Sequence, residues 1–196
     1  MTLFCRERDH WNQKYRESPG SWLEPDSFLL RAYSDYVRQC FPSGGRALDL
    51  AGGAGRNAIW LAERGWEVTL IDIADAGVEQ ARQKAGALAS HISFLVDDLT
   101  GFTAMPTQFD LVVVFFYLDR NIFPELIRSI RPGGFFIYKT LTEAQLELPG
   151  GPKDPAHLLA EGELLRLATG LEVVHYREQI ASKATAELVA RKTASD

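Results

Sequence analysis

The sequence predicts an α/β fold in which a doubly wound, mostly parallel sheet of seven strands ends in an antiparallel hairpin. Short apolar runs alternate with amphipathic stretches, which is the pattern of parallel strands joined by helices. One run, Leu111–Phe116, is apolar throughout, as expected of a strand that is buried on both faces. The last two runs follow each other without a helix, so they must pair antiparallel or lie apart.

Each predicted strand ends at a recognisable turn signal. The first run leads into a glycine-rich loop, the second is closed by Asp72, and the third is closed by Asp97-Asp98. Pro132-Gly133-Gly134 precedes the fifth run, and a Pro- and Gly-rich stretch follows it. The predicted strands are residues 46–50, 67–71, 92–96, 111–116, 135–139, 171–177 and 184–191.

Four helices are predicted in the connections between these strands. Asp75 is expected to cap the N-terminus of the second helix, because the apolar residues after it recur at helical spacing. Gly65 and Gly170 follow the first and last helices as left-handed caps, and Pro132 ends the third. The helices are predicted at about residues 56–63, 75–88, 122–131 and 158–168.

The composition is that of an ordinary globular chain. Of the 196 residues, 46% are apolar and 24% are charged. The formal net charge is −5 and the basic residues form no block, which argues against a nucleic-acid partner. The longest apolar run, Leu111–Leu118, is too short to span a bilayer. We therefore expect a cytoplasmic protein, monomeric or homodimeric, with a small-molecule substrate and no nucleic-acid or membrane partner.

The cysteines and histidines do not indicate a metal site. Cys5 and Cys40 are widely spaced and form no CxxC pattern, so neither a disulfide framework nor a thiolate site is expected. The histidines show no spacing typical of metal ligands. They are His10, His91, His157 and His175. The sequence therefore predicts no bound metal.

A glycine-rich loop follows the first predicted strand. Its residues Gly53-Ala54-Gly55-Arg56-Asn57-Ala58 fit the G-x-G-x-x-A pattern of dinucleotide-binding folds. Such glycines let the backbone approach a ligand closely, and the following helix N-terminus supplies unpaired N–H donors. Asp72, at the end of the next strand, has the position of a residue that accepts hydrogen bonds from ribose hydroxyls. The loop alone is compatible with NAD and with S-adenosyl-L-methionine.

Three features favour S-adenosyl-L-methionine. Asp49 precedes the glycines, where a carboxylate repels a pyrophosphate but suits a positively charged amino-acid tail. Asp98 follows the third strand, where a carboxylate can accept a hydrogen bond from the amine of adenine. The C-terminal hairpin is not part of a dinucleotide fold built from two mononucleotide halves. S-adenosyl-L-methionine carries an ammonium, a sulfonium, a ribose and an adenine but no phosphate, so it fits these acids best.

With these features, the chain resembles the class I (Rossmann-like) methyltransferases that use S-adenosyl-L-methionine. The resemblance lies in Leu48-Asp49-Leu50-Ala51-Gly52-Gly53-Ala54-Gly55-Arg56-Asn57, the acid after the second strand, Val96-Asp97-Asp98-Leu99 and the Pro-Gly-Gly before the fifth strand. Within that superfamily, the chain is most similar to the tellurite-resistance and thiopurine methyltransferase-like group. Gly55-Arg56-Asn57, Trp11-Asn12-x-x-Tyr15 and Glu161-Gly162-Glu163-Leu164 carry this finer similarity.

The resemblance implies a role for each residue of the cofactor site. The implied residues form four sets, which contact the methionine moiety, the ribose, the adenine and the reactive methyl group. They are Asp49, Gly53 and Gly55 for methionine, Asp72 for ribose, Ile73, Asp98 and Leu99 for adenine, and Phe115 with the residues to Leu118 for the methyl group. Asn57 is included in the site. Ala51 stands where the family usually has its first glycine, and an alanine is expected to fit if its φ is negative.

The resemblance also implies a single methyltransferase domain over residues 1–196. Residues 1–40 would form a helical lid segment, and residues 45–196 would form the sheet core that binds the cofactor. On a helix, Trp11 and Tyr15 share a face, so their rings could cover the sulfonium by cation–π attraction or only pack against the core. Trp22 could serve the same lid, and Tyr117 could line the acceptor pocket or belong to the core.

Several marked residues also have a purely structural interpretation. An aspartate at a strand end often caps the following turn or helix, although three at successive strand ends favour a ligand site. Arg56 and Asn57 could simply complete the first turn of their helix. Phe115, Phe116 and Tyr117 are of a type that is more often core than pocket.

The expected chemistry is direct in-line transfer of a methyl group from the sulfonium to a nucleophile on the acceptor. No catalytic residue is identified, because the sequence marks no general base. This favours a small acceptor with a soft or already ionised nucleophile, such as a thiol, another chalcogen or a metalloid oxyanion. Two alternatives stay open: an NAD-dependent oxidoreductase, and a protein that binds the cofactor without turnover.

Overall fold

The computed structural model describes residues 3–17, 24–103 and 108–193, and for residues 3–5 only the backbone. The chain divides into two compact units, Met1–Thr100 and Gly101–Asp196. Trp22, which was assigned to the lid, lies outside the described residues. The partition into a lid segment at residues 1–40 and a sheet core at residues 45–196 stays a prediction.

The first unit contains three parallel strands, in the spatial order β3-β2-β1. The strands are β1 (Arg46–Leu50), β2 (Glu67–Asp72) and β3 (Ile92–Val96). The helices are α1 (Leu3–Glu17), α2 (Ser27–Ala32), α3 (Arg56–Ala62) and α4 (Asp75–Ala85), with a π-helical segment at Tyr33–Val37 and a 3-10 segment at Gly86–His91. The predicted strands and the first two predicted helices of this unit are confirmed to within a few residues.

Burial of β1 on both faces explains its continuous apolar sequence. The four residues from Ala47 to Leu50 are all buried, and they include Asp49. The chain leaves α3 through Gly65, whose φ of +84° confirms the predicted left-handed cap. This short turn brings Trp66 into the core and returns the chain to the start of β2.

The second unit contains four strands in the order β4-β5-β7-β6. Strands β4 and β5 are parallel, whereas β7 pairs antiparallel with both β5 and β6. The strands are β4 (Phe109–Phe115), β5 (Ile130–Leu141), β6 (Glu172–Ile180) and β7 (Ala184–Arg191). The helices are α5 (Phe123–Ser129) and α6 (Glu163–Leu167), with 3-10 segments at Arg120–Ile122, Glu143–Glu147 and Pro155–His157.

The seven strands of the described residues confirm the predicted fold class. They form a mostly parallel sheet that ends in the antiparallel hairpin of β6 and β7. No helix separates these two strands, and of the two arrangements that this left open, the structure shows antiparallel pairing. Within the described part of the chain, no helix is long and apolar enough to cross a membrane, and no group of three potential metal ligands is present.

Four details of the predicted elements were wrong. The last helix begins at Glu163 rather than near residue 158, because Leu159 pairs with Thr142 and Gly162 has a φ of +65°. The helix before β5 ends at Ser129, since the extended Ile130 already belongs to the strand. Asp75 is the first residue of α4, and Ala74 occupies the cap position. Strand β4 ends one residue early, because Phe116 adopts a φ of +59°.

Candidate functional site

The three acids that were predicted to bind the cofactor lie at or just after the carboxyl ends of adjacent parallel strands in the first unit. Asp49 is the last residue but one of β1, Asp72 is the last residue of β2, and Asp98 follows β3. The registers align these ends, since Asp49 pairs with Leu70 and Asp72 pairs with Val96. In open α/β sheets, ligands bind at this edge. The structure therefore brings the predicted acids to one edge of the sheet.

Asp49 is a buried carboxylate with one unsatisfied oxygen. The residue is 1% exposed, and the Ala58 N–H donates a hydrogen bond to its carboxylate. Its Oδ2 atom has no hydrogen-bond partner among the described residues. Burial raises the pKa of Asp49 to about 7, although the Arg56 charge opposes this shift. Leaving a buried acceptor unpaired is costly, so the site fits a ligand that brings a cationic donor.

The space beside this oxygen exists because residue 52 is a glycine. A Cβ atom at Gly52 would lie 2.9 Å from Asp49 Oδ2, which is closer than real contacts allow. A larger residue here would cover the oxygen with carbon. Glycine at position 52 therefore keeps a side-chain carbon away from this buried oxygen.

Asp72 organises the glycine-rich loop through two backbone hydrogen bonds. The Gly53 N–H donates to its Oδ2 and the Ala74 N–H donates to its Oδ1, both at 2.8 Å. Burial raises the pKa of Asp72 to about 6, and the backbone hydrogen bonds oppose the rise. Because each carboxylate oxygen has two lone pairs, each can still accept a second hydrogen bond. The residue is therefore suited to hold ribose hydroxyls and the loop together.

The loop reverses direction through three left-handed residues. Gly53 and Gly55 have φ values of +54° and +78°, and Ala51 has a φ of +56°. The expectation that Ala51 keeps a negative φ was wrong. After Ala51, the Gly52 N–H donates to the Ile71 carbonyl of β2 at 3.2 Å, and the Gly55 N–H donates to the Gly52 carbonyl at 3.0 Å. A left-handed conformation costs a residue with a Cβ atom about 1–2 kcal/mol.

Replacing Ala51 by glycine is expected to stabilise the protein. Glycine adopts the left-handed conformation without the Cβ penalty, so we expect unfolding in urea to require about 1 kcal/mol more. The gain is bounded because glycine also loses more backbone entropy on folding. The matched control is Ala54→Gly, since Ala54 has no positive φ and loses only helpful packing. Equal destabilisation by both variants would contradict strain at Ala51.

Tyr15 of α1 packs directly against the glycine-rich loop. Its ring is buried with Ala54 and Ala74. A Cβ atom at Gly53 would overlap the Tyr15 hydroxyl, and one at Gly77 would lie 2.8 Å from the Tyr15 ring. Burial, aided by the negative charge of Asp72, raises the pKa of the Tyr15 phenol, so this phenol stays neutral. Gly53 and Gly77 therefore make room for an aromatic ring as well as for a backbone turn.

Helix α1 is held in place by polar contacts with the start of α4. The Asn12 amide donates to the Asp75 carboxylate, and its Oδ1 accepts from the Ala76 N–H at 2.9 Å. The Gln80 amide donates to the Tyr15 carbonyl at 2.8 Å. Sequence reasoning missed Asn12, Asp75 and Gln80 in this role. The available signal was the asparagine inside the Trp11-Asn12-x-x-Tyr15 motif.

Trp11 packs beside the Tyr15 cluster but also has a cation of its own. The Lys14 ammonium lies 4.5 Å from the centre of the Trp11 ring, and Trp11 contacts the cluster only as a half-buried neighbour. In the structure, Trp11 and Tyr15 therefore pack against neighbouring residues, as the packing interpretation expected. Their part in covering a sulfonium stays a prediction.

Asn57 and Arg56 attach the start of α2 to the glycine-rich loop. The buried Asn57 accepts a hydrogen bond from the Asp26 N–H at 3.1 Å. Asp26 in turn accepts from the Phe28 N–H and so caps α2, and the Arg56 guanidinium lies 3.9 Å from its carboxylate. Asn57 was assigned to the cofactor site. Its amide oxygen instead positions the segment that precedes α2.

The residues after β2 and β3 form the implied adenine side of the site. Asp98 is half-buried, and its Oδ1 accepts from the Thr100 N–H and hydroxyl at 2.8 and 2.7 Å. Leu99 is buried, and Ile73 packs against the Tyr15 cluster. The Asp97 carboxylate accepts from the Asp98 N–H, in agreement with a capping role. Adenine binding by these residues stays a prediction.

In the second unit, the turn after β4 has an unusual backbone. Phe115 is buried at the end of the strand, and Phe116 follows it with a φ of +59°. The Phe116 N–H donates to the Lys139 carbonyl at 2.8 Å, and the Tyr138 hydroxyl donates to the Tyr117 carbonyl. Bulky residues rarely adopt this φ, and such strain concentrates at functional sites. The turn therefore has the character of a ligand-binding segment.

Two lysines lie next to the Phe116 ring. The Lys183 and Lys139 ammonium groups are 4.6 and 5.8 Å from its centre. Lys139 also forms a buried ion pair with Glu187 at 3.1 Å, and the Gln179 amide donates to the same carboxylate at 3.1 Å. Sequence reasoning missed this cluster, because antiparallel pairing of β5 with β7, and not sequence spacing, brings Lys139 and Glu187 together.

Comparison with known proteins shows similarity to methyltransferases. Residues 47–134 match the model of a methyltransferase domain family. YqeM of Bacillus subtilis (strain 168), named as a candidate methyltransferase, is 33% identical over 115 residues, which are 54% of this chain and 46% of YqeM. The chain thus spans about half the length of this relative. Other relatives are named for methylation in ubiquinone biosynthesis or of RNA.

Solved structures share the fold. TehB from Haemophilus influenzae superimposes with a TM-score of 0.72 at 18% identity, over 93% of this chain and 67% of TehB. An S-adenosylmethionine-dependent methyltransferase from Methanosarcina mazei superimposes with a TM-score of 0.67 at 19% identity, over 88% of this chain and 100% of the other. The predicted sheet with its terminal hairpin is thus an arrangement found in such enzymes.

Proposed function

We propose that this chain, which carries a class I S-adenosylmethionine-dependent methyltransferase domain, transfers a methyl group from that cofactor to a small acceptor whose nucleophile is soft or already ionised. The observation that carries the proposal is the Asp49 carboxylate. It is buried, its Oδ2 has no hydrogen-bond partner among the described residues, and Gly52 places no side-chain carbon against it. Such a group suits an ammonium and opposes a pyrophosphate.

The residues of the first unit match the parts of the cofactor. Asp49 would pair with the ammonium of the methionine moiety, and Asp72 would accept the ribose hydroxyls. Ile73, Asp98 and Leu99 would surround the adenine. When bound, the cofactor supplies a methyl group that its sulfonium makes electrophilic. Phe115 is assigned to the methyl group from the family resemblance, and its burial at the end of β4 is compatible with that role.

The second unit supports an anionic acceptor. Lys183 lies 4.6 Å from the Phe116 ring at the turn after β4, where parallel strands of this fold type bind ligands, whereas the charge of the neighbouring Lys139 is compensated by Glu187. A cationic environment lowers the pKa of a nearby thiol or phenol and so raises the ionised fraction. An ionised nucleophile needs no general base, and this agrees with the lack of one marked by the sequence.

Two features of the glycine-rich loop, the charge of Asp49 and the strain at Ala51, bear on the two alternative functions. NAD would place its pyrophosphate at the loop that Asp49 precedes, and the electrostatic cost of a nearby carboxylate disfavours this. A protein that binds the cofactor without turnover is favoured by the strained Ala51, because the strain suggests that this loop is not optimised. Both alternatives are testable with the same preparation.

Two measurements test the proposed function. In titration calorimetry, we expect S-adenosylhomocysteine to bind with micromolar affinity and NAD not to bind; the reverse result would refute it. In a transfer assay with labelled methyl groups, we expect turnover with thiols, phenols, halides or metalloid oxyanions. Binding without any methylated acceptor would favour the protein without turnover, and methylation of RNA alone would refute the small acceptor.

Cofactor binding is expected to strengthen as the pH rises. Asp49 must be ionised to pair with an ammonium, and its pKa in the free protein is about 7. Because binding selects the ionised form, affinity for S-adenosylhomocysteine should be about tenfold lower at pH 6 than at pH 8. Calorimetry across this range measures the slope.

Asp49→Asn is the control for this titration. The amide keeps the size of the side chain but cannot ionise, so the variant should bind more weakly and with little dependence on pH. Asp72, whose pKa of about 6 also lies in this range, remains in the variant. A slope that persists in Asp49→Asn would assign the titration to Asp72 and contradict the role of Asp49.

A further inference from the structure

Arg120, which follows the turn after β4, holds four oxygen atoms from distant parts of the second unit. Its guanidinium binds both carboxylate oxygens of Glu163, at 2.6 and 3.0 Å. It also donates to the carbonyls of Ala156 and Leu158, both at 2.9 Å. We call this set the Arg120–Glu163 clamp. Glu163 belongs to the Glu161-Gly162-Glu163-Leu164 motif, to which the cofactor site assigns no role.

The Arg120–Glu163 clamp joins two segments at the same edge of the sheet. Arg120 follows the turn after β4, and residues 142–162 follow β5. Since β4 and β5 are parallel neighbours, their carboxyl ends lie side by side. The Ala160 N–H donates to Glu163 at 2.8 Å, so Glu163 fixes the end of the second segment as well. The clamp therefore ties together the two loops at the ligand edge of this unit.

The clamped turn is constrained from both sides. Phe116 has a left-handed backbone, and the Tyr138 hydroxyl donates to the Tyr117 carbonyl. Asp119 accepts from the Asn121 N–H at 2.9 Å and so begins the 3-10 segment that carries Arg120. Strained conformations persist only where surrounding contacts determine them. Arg120 follows this turn and ties its end to residues 156–163.

The second segment is fixed at its other end by Gln145. The Gln145 amide accepts from the Ala184 N–H at 2.9 Å and donates to the Gly150 carbonyl at 3.2 Å. Lys153 donates to the Leu146 and Leu148 carbonyls at 3.1 and 3.0 Å. The segment is thus held in one conformation by side chains. An ordered loop at the ligand edge can define a binding site, which a mobile one cannot do as well.

Stability does not account for the clamp. The Arg120 side chain is 37% exposed and Glu163 is 15% exposed, and partly exposed ion pairs contribute little to stability. The bidentate geometry instead fixes the orientation of the bonded groups, because a planar guanidinium holds its partners in a fixed arrangement. The four bonded oxygens span residues 156 to 163, so this arrangement shapes the whole end of the loop.

We propose that Arg120 and Glu163 are positioning residues for the methyl acceptor. The clamp holds the turn after β4 and the segment after β5 in one arrangement, and this arrangement sets where the acceptor binds. The inference rests on the proposed function for the identity of the ligand. Arg120 acts through the loops that it joins, and it takes no part in the chemistry.

Arg120→Lys tests the clamp with a matched control. Lysine keeps the positive charge but cannot form the bidentate pair and both carbonyl bonds. The control is Arg131→Lys, because the Arg131–Asp110 pair is equally exposed, at 38% and 15%, and lies at the opposite ends of β4 and β5. With 4-nitrothiophenol as the acceptor, kcat/KM should fall about tenfold in Arg120→Lys and stay unchanged in Arg131→Lys.

A merely structural role predicts a different set of results. It would lower the melting temperatures of both variants alike, and it would alter binding of S-adenosylhomocysteine together with turnover. The clamp predicts that the Kd for S-adenosylhomocysteine stays within twofold in Arg120→Lys, because the residues assigned to its methionine, ribose and adenine parts belong to the first unit. Glu163→Gln should reproduce the loss for the acceptor. Equal kcat/KM values for Arg120→Lys and wild type would overturn the proposal.

Hydrogen exchange separates failure of the clamp from failure of the proposed function. If the wild type does not methylate 4-nitrothiophenol, the choice of acceptor is wrong, but amide exchange still tests the clamp. Exchange in residues 117–121 and 156–160 should become faster in Arg120→Lys and stay unchanged in Arg131→Lys. Unchanged exchange in both variants would overturn the clamp whatever the acceptor is.

Discussion

The variant Asp72→Ala is expected to bind S-adenosylhomocysteine more weakly by about 1–3 kcal/mol, which is the usual loss when hydrogen bonds to a charged acceptor are removed. The same substitution removes the acceptor of the Gly53 and Ala74 N–H groups. The loop that carries the ligand therefore loses two anchors as well as a ribose contact. Calorimetry gives the affinity, and thermal unfolding reports the loss of the two backbone bonds as a lower melting temperature.

Two further variants make this result specific. Asp72→Asn keeps one oxygen acceptor and should fall between wild type and Asp72→Ala in both measurements. Asp97→Ala removes an exposed strand-end carboxylate that accepts one backbone hydrogen bond, so its affinity should equal that of wild type. If Asp72→Ala bound S-adenosylhomocysteine as tightly as wild type does, the assignment of the ribose to Asp72 would be wrong.

The variant Gly53→Ala is expected to lose cofactor binding and to be strongly destabilised. Its Cβ atom would overlap the Tyr15 hydroxyl, and its φ of +54° is unfavourable for any residue with a side chain. Left-handed strain and overpacking together amount to about 2–5 kcal/mol. The physical cause is that the Tyr15 ring and the loop backbone occupy adjacent space with no room for a methyl group. Urea unfolding measures the loss.

The control for this variant is Gly162→Ala. Gly162 also has a left-handed backbone, with a φ of +65° and a ψ of 6°, but a Cβ atom there would meet only the end of the Arg166 side chain, at 3.5 Å. The difference between the two variants therefore isolates the contact with Tyr15 from the backbone strain. Gly53→Ala combined with Tyr15→Phe, which lacks the hydroxyl, should regain part of the lost stability. No recovery in the double variant would show that Tyr15 does not pack on Gly53 in solution.

The strands could be predicted because the sequence signals that mark them are local. The apolar runs from β1 to β4 are each bounded by Gly, Pro or Asp residues, and both features depend on a few neighbouring residues. The last helix was mispredicted because a tertiary contact decides it. Leu158–Gly162 has an apolar pattern, yet Leu159 pairs with Thr142 and leaves the helix to begin at Glu163.

The acids of the candidate site were predictable for a related reason. Asp49, Asp72 and Asp98 each follow a strand, and parallel strands bring their carboxyl ends to one edge whatever the side chains are. A local pattern was therefore sufficient to place them together. It could not show that Asp49 keeps an unpaired buried oxygen, because that depends on residues that contact it from elsewhere in the chain.

By itself, the sequence determined the fold class, the glycine-rich loop and the acids that surround it, and it favoured S-adenosyl-L-methionine over NAD. These depend on short-range patterns and on the shared direction of parallel strands. Only the tertiary structure decided the left-handed Ala51, the packing of Tyr15 on Gly53, the two lysines beside Phe116, and the Arg120–Glu163 pair, whose members are 43 residues apart. Those features depend on which distant side chains meet once the chain is packed, and no local spacing encodes that.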